Sequence, residues 1–132
     1  MMIHIAYIEG DKRSQFTFEQ IAQVLKAKGF DNQLQVYSQP EQALECIPLE
    51  RPDIIFLDMR TTTGRKPAGL DLARALRQHP LTRNTFLVAM TDYAMPADRS
   101  AALSAGCHEF LSKPLRYQSV EEVITHLLDL PQ

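Results

Sequence analysis

A three-layer α/β/α domain built on one parallel five-stranded sheet is predicted by three observations. Short apolar runs alternate with amphipathic helical stripes five times along the chain. Three of those runs, at 3–8, 54–57 and 86–90, are apolar on both faces, as the inner strands of a parallel sheet must be. The chain has 132 residues, 45% of them hydrophobic and 23% charged, which suits a single core rather than two.

The first run, 3–8, carries three β-branched isoleucines (Ile3, Ile5, Ile8) and reads as a strand covered on both sides. Thr17 with Gln20 three residues on resembles a capping box. Phe18, Ile21, Ala22 and Leu25 follow at helical spacing, and Gly29 stands where a left-handed C-terminal cap is expected. Leu34 and Val36 alternate with Gln33, Gln35 and Tyr37, the half-polar pattern of a sheet edge. Ser38 and Glu41 suggest a second capping box for a short helix through Ala43, Leu44 and Ile47, broken by Pro48 and Pro52.

Ile54, Ile55, Phe56 and Leu57 form the third strand, ending at Asp58, and Leu72, Ala73 and Leu76 stripe the helix that follows. Residues 86–90 form the fourth strand. Pro96 suits the first turn of a helix of small residues (Ala101, Ala102, Ala105) that stops at Gly106. Glu109-Phe110-Leu111 is a short mixed strand, and Ser119 with Glu122 opens a last helix carrying Val120, Val123, Ile124, Leu127 and Leu128. Parallel strands joined by right-handed crossovers, with the two mixed strands at the edges, give the order 2-1-3-4-5. One domain over residues 1–132, with no output domain, is expected; the stretch 61–67 is a polar loop within it.

With 14 Lys and Arg against 16 Asp and Glu, the net charge is -2 and supplies no basic face for a nucleic-acid backbone. Cys46 and Cys107 have neither disulfide-framework nor zinc-ligand spacing, which suits a reducing cytoplasm. No basic leader followed by an apolar stretch stands at the start, and no run is long enough to span a bilayer. His4, His79, His108 and His126 are scattered, so core or surface roles outweigh metal binding. Thr63-Gly64-Arg65-Lys66 lacks the earlier glycine a phosphate-binding P-loop requires.

In a sheet of this order, function gathers at the carboxyl ends of the strands near the switch point between strands one and three. Those positions carry Glu9 and Asp11, then Asp58, Thr91 and Lys113. Converging carboxylates repel unless a cation lies among them, and an all-oxygen donor set favours a hard ion such as Mg²⁺ with retained waters. A lysine and a hydroxyl opposite suit the outer oxygens of a phosphoryl group, which makes Asp58 the acceptor.

Ile54-Ile55-Phe56-Leu57-Asp58-Met59, Val88-Ala89-Met90-Thr91, Ala94-Met95-Pro96-Ala97-Asp98-Arg99, Ala105-Gly106 and Phe110-Leu111-Ser112-Lys113-Pro114 together resemble the receiver domain of two-component response regulators. The resemblance covers essentially the whole chain and implies a flavodoxin-like (βα)5 fold. It implies further that Asp58 takes a phosphoryl group from the phosphohistidine of a sensor histidine kinase or a histidine phosphotransfer protein. Thr91 and Lys113 would sense the phosphoryl oxygens, and Phe110, three residues before the lysine, would be the switch aromatic. Mg²⁺ would be held by Glu9, Asp11, Asp58 and the backbone carbonyl of Arg60, and the Lys113-Pro114 peptide would be cis.

Three departures from the family pattern stand out. Glu9-Gly10-Asp11 puts glycine where receivers carry a second acid, so Asp11 is expected to reach back through the backbone freedom of Gly10. Asp92 follows Thr91 where the family has a small residue, and a carboxylate there obstructs or repels an incoming phosphoryl group. The loop after Asp58 is about three residues longer than usual and carries Arg60, Arg65 and Lys66, cations that attract a phosphodonor or an acidic partner.

The leading expectation is a cytoplasmic response regulator that signals by contact with a downstream protein, through the face of helix four, strand five and helix five, which also suits a homodimer. The alternative is a pseudo-receiver, a binding module acting without phosphorylation. An aspartate-nucleophile phosphatase is the weaker third reading, since the second neighbour of Asp58 is Arg60 rather than another acid.

Overall fold

The computed structural model describes residues 2–60, 62–63, 66–67, 69–92 and 95–129; of residues 62, 63, 66 and 67 it describes the backbone. Its elements are β1 (Ile3–Ile8), α1 (Lys12–Ala27), β2 (Asn32–Tyr37), α2 (Pro40–Glu50), β3 (Ile54–Asp58), β4 (Thr62–Thr63), β5 (Lys66–Pro67), α3 (Gly69–Gln78), β6 (Phe86–Thr91), α4 (Pro96–Ser104), β7 (Glu109–Ser112) and α5 (Tyr117–Leu127). The main sheet runs β2-β1-β3-β6-β7 with every pair parallel, which is the expected 2-1-3-4-5 order of the five main strands. As their half-polar sequences require, β2 and β7 lie at its edges.

Alternation along each strand divides the core into two layers. Ile3, Ile5, Tyr7, Ile54, Phe56, Val88 and Met90 face α1 and α5, where they meet Phe18, Ile21, Leu25, Val120, Val123 and Ile124. Ala6, Ile8, Ile55, Leu57, Leu87 and Ala89 face the other way, against Ala43 and Ile47 of α2, Leu72 and Leu76 of α3, and Ala102 of α4. Tyr7 stacks on Phe18 with ring centroids 4.3 Å apart, and Phe56 lies tilted against Phe18 at 4.9 Å.

Three helix starts differ from the sequence reading, for local reasons. α1 opens five residues before Thr17, because the Asp11 carboxylate accepts from the Ser14 backbone N–H at 3.0 Å and from its hydroxyl at 2.9 Å. α2 starts at Pro40, whose fixed φ suits a first turn. Ser38 does not cap it and instead accepts from the Gln15 side chain at 3.0 Å. α5 starts at Tyr117, two residues ahead of Ser119, with Arg116 as its uncapped N-terminal residue.

Pro48 does not break α2. It lies in the last turn, where it forgoes one hydrogen bond and is buried in the core, and the helix ends at Arg51 in a left-handed conformation, φ 51°. Gly29 and Gly106 close α1 and α4 as expected, with φ of 98° and 104°. Within the polar loop the backbone forms an antiparallel two-residue hairpin, Thr62 opposite Pro67 and Thr63 opposite Lys66; Thr61, Gly64 and Arg65 lie outside the described residues.

Both cysteines are free, and they differ in environment. Cys46 is half-buried, whereas Cys107 is buried and burial pushes its thiol up to about 11. At pH 8 a thiol reagent is therefore expected to react promptly with one cysteine of the native protein, Cys46, and with the second after denaturation. Two prompt thiols without denaturant would contradict the packing of the α4–β7 turn.

Candidate functional site

The period-two alternation that builds the core also aims the functional side chains. Tyr7 points toward α1, so Glu9, two residues on, points the same way from just beyond the end of β1. Phe56 does so in β3, which carries Asp58 to the same side, and Leu111 does so in β7, which carries Lys113 there. Parallel register sets Ile8 beside Leu57, Asp58 beside Met90 and Thr91 beside Ser112, so these residues end at one level of the sheet. A carboxylate pair and a lysine from three strands thus meet at the switch point.

They meet by direct bonds. The Lys113 ammonium donates to Asp58 Oδ2 and to Glu9 Oε2, and it lies 3.4 Å from the Ser14 hydroxyl. The second Asp58 oxygen accepts from the Arg60 backbone N–H at 2.6 Å. The other oxygen of Glu9 accepts from the Tyr7 hydroxyl. Asp58 and Glu9 are each 4% exposed, so charge compensation within the cluster matters more than it does on a surface.

Burial raises the Glu9 pKa, and the hydrogen bonds from Lys113 and Tyr7 offset only part of that shift. For Lys113 the balance runs the other way. Burial works against the ammonium, but bonding to Asp58 and Glu9 outweighs it and holds the pKa above its ordinary value. The Tyr7 phenol is raised by burial and then by the facing Glu9 carboxylate, so it is a hydrogen-bond donor at neutral pH.

Asp11 does not join the cluster. Gly10 has no left-handed φ, so the chain is not turned back there, and the Asp11 carboxylate is exposed and committed to the Ser14 cap. Among the described residues no group of three or more His, Cys, Asp and Glu side chains is gathered to hold a metal ion. The structure therefore assembles two carboxylates where the sequence reading expected three. Two carboxylates with waters remain a donor set that suits Mg²⁺, with the Lys113 ammonium holding the position between them.

Thr91 is fully buried at the end of β6, and its carbonyl accepts the Lys113 backbone N–H at 2.8 Å. Phe110 is half-buried against the layer formed with α2, α3 and α4, beside Ala89 and on the face opposite Lys113. The Lys113-Pro114 peptide is cis. Asp92 is exposed, and with Arg13, Phe18, Lys113 and Leu115 it lines a cavity of about 240 Å³ beside the cluster.

Tyr7 and Gln15 were missed by sequence reasoning. Tyr7 was absorbed into an apolar strand, although its spacing from Glu9 is a signal that both share a face. Gln15 donates to the Glu9 backbone carbonyl at 2.6 Å and fastens the β1 end to α1; nothing in its spacing marks it.

A doubly wound parallel sheet with ionisable side chains converging at its switch point defines a flavodoxin-like α/β domain with a site at its carboxyl edge. The chain belongs to the response regulator receiver domain family, whose model matches residues 12–125. It is 34% identical over 114 residues to the cyclic di-GMP phosphodiesterase response regulator RpfG of Xanthomonas campestris, an alignment covering 86% of this chain and 28% of that protein. It is 28% identical over 87 residues to the polar-differentiation response regulator DivK of Brucella anthropi, covering 66% of this chain and 68% of DivK. The crystal structure of the receiver domain of sensor histidine kinase PA1611 from Pseudomonas aeruginosa, with a magnesium ion coordinated in its active-site cleft, superposes with a TM-score of 0.83. That match has 20% identity and covers 98% of this chain and 99% of the other.

Proposed function

We propose that Asp58 accepts a phosphoryl group from the phosphohistidine of a sensor histidine kinase or a histidine phosphotransfer protein. The observation that carries this is the setting of Asp58: a carboxylate at the end of the central strand, clasped by the Lys113 ammonium and the Arg60 backbone N–H, with Glu9 as the second acid. An Asp58 oxygen attacks phosphorus in line, the phosphorus–nitrogen bond breaks, and its electron pair returns to the imidazole, leaving an acyl phosphate. Lys113 neutralises charge on the transferring oxygens, and the Thr91 hydroxyl donates to one of them.

Glu9, Asp58 and the Arg60 backbone carbonyl would hold Mg²⁺, which supplies charge neutralisation for the phosphoryl oxygens. Asp11, engaged by Ser14, contributes its field rather than a direct ligand. Once Asp58 is modified, Lys113 and Thr91 turn toward the new charge and Phe110 repacks, shifting the face of α4, β7 and α5 toward a form that a downstream protein, or a second copy of this chain, binds. The reading places the domain in the cytoplasm, signalling by contact with a partner protein.

A small phosphodonor with Mg²⁺ tests the reading. Intact-mass measurement is expected to show a gain of one phosphoryl group that disappears in Asp58→Ala. No gain, or a gain that survives the substitution, overturns it. A second reading draws on the Lys113 ammonium already spanning both carboxylates and on the exposed Asp92 lining the adjoining cavity: a pseudo-receiver that docks its partner without phosphorylation. It predicts partner binding unchanged in Asp58→Ala.

A further inference from the structure

The Glu9 carboxylate has both oxygens committed, one to Lys113 and the other to the hydroxyl of Tyr7. Tyr7 is 1% exposed, its ring is fixed against Phe18 at 4.3 Å with an interplanar angle of 23°, and its hydroxyl also lies 3.3 Å from the Ser14 backbone carbonyl. A phenol held by a stack on one side and its hydrogen bond to Glu9 on the other keeps its place, so it sets the angle at which Glu9 presents Oε2. The helix α1 backbone, the Lys113 ammonium and the Asp58 carboxylate are therefore all referred to one rigid ring.

We infer that Tyr7 is a positioning residue that orients Glu9 toward a divalent cation, taking over part of the task that a second acid at position 10 would perform. Gly10 has no side chain to brace the site, and Asp11 is turned to the cap of α1. With one acid where two are expected, a mobile Glu9 must lose rotamer freedom on binding a cation, and a pre-oriented Glu9 has already lost it. Groups that hydrogen-bond a ligating carboxylate from behind act in this way, and their removal weakens metal binding without touching the metal. Oε2 of Glu9, which accepts from Lys113, would be the oxygen available to a cation, with Oε1 held by Tyr7.

The inference rests on the Mg²⁺-assisted reading above, and calorimetric titration with magnesium chloride separates the two. Tyr7→Phe keeps the stack and removes the hydroxyl; Phe18→Leu disturbs the stack and keeps the hydroxyl. The expected result is a saturable heat in the wild type, a dissociation constant raised about tenfold in Tyr7→Phe, and a smaller rise in Phe18→Leu, which loosens the ring but leaves its hydrogen bond to Glu9. The Mg²⁺ concentration giving half-maximal phosphorylation from a small phosphodonor rises by the same factor in Tyr7→Phe, while the rate at saturating Mg²⁺ stays within about twofold. A wild type with no saturable heat overturns the Mg²⁺ reading and this inference with it. A wild type that binds, with Tyr7→Phe binding equally well, overturns the inference alone. Equal losses in the two variants assign the effect to packing and also overturn it.

Discussion

Lys113→Gln is expected to lower the unfolding free energy by about 3 kcal/mol, the scale for removing one partner of a buried ion pair. The loss comes from what remains. Glu9 and Asp58, each 4% exposed, face one another through the space the ammonium occupied, and neither has another cationic partner among the described residues. Mg²⁺ is expected to restore more stability to Lys113→Gln than to the wild type, because the cation then replaces the missing charge instead of competing with it. The double variant Lys113→Gln/Asp58→Asn should recover much of the loss, since one carboxylate remains and Tyr7 still donates to it. Urea melts of the three proteins with and without Mg²⁺ measure all of this, and a single variant as stable as the wild type would show that water, not Lys113, compensates the pair.

The pH dependence follows from the same bonds. The folded-state pKa of Lys113 is raised above its ordinary 10.5, so its contribution to stability is whole below that value and is lost as pH rises through the folded pKa. A wild-type stability profile should therefore fall more steeply than that of Lys113→Gln in the alkaline limb.

Gly69→Ala is expected to cost about 2–3 kcal/mol, at the upper end for overpacking a filled site. A Cβ at position 69 would lie 2.6 Å from the carbonyl oxygens of both Asp58 and Met59, and these are backbone atoms that cannot rotate away. Relief requires moving either the start of α3 or the end of β3, and the second choice carries the Asp58 carboxylate with it. On the proposed phosphoacceptor function, the variant should also take up a phosphoryl group more slowly. Gly10→Ala is the contrast: its nearest neighbour is the Ser38 carbonyl at 3.4 Å, ordinary contact, and its stability should stay within about 0.5 kcal/mol of the wild type. Urea midpoints for both variants check the pair; equal midpoints would mean that the α3 start yields freely.

The two glycines show what spacing alone discloses. Nothing in the local sequence marks Gly69, because the approach of α3 to the β3 terminus joins atoms about eleven residues apart in sequence. Asp58, Glu9, Thr91 and Lys113 were legible because a parallel sheet of known order brings strand ends to one level, and strand ends can be found from hydrophobic runs. Helix starts were less legible. Thr17, Ser38 and Ser119 each resemble a cap, but Asp11 captures Ser14, Ser38 is drawn to Gln15, and α5 begins without a side-chain cap. Capping residues compete for the same donors, and packing chooses the winner.

The architecture, the strand order and the place of Asp58 at the end of the central strand follow from local composition, because burial on two faces and alternation on one are properties of short segments. Which carboxylates gather is a different matter. Asp11 and Glu9 are two residues apart in sequence, yet one caps α1 in solvent while the other is sealed against Lys113 and Tyr7. That division depends on the φ of Gly10, the stack of Tyr7 on Phe18 and the reach of a lysine 104 positions downstream, all of which come into being when the layers close.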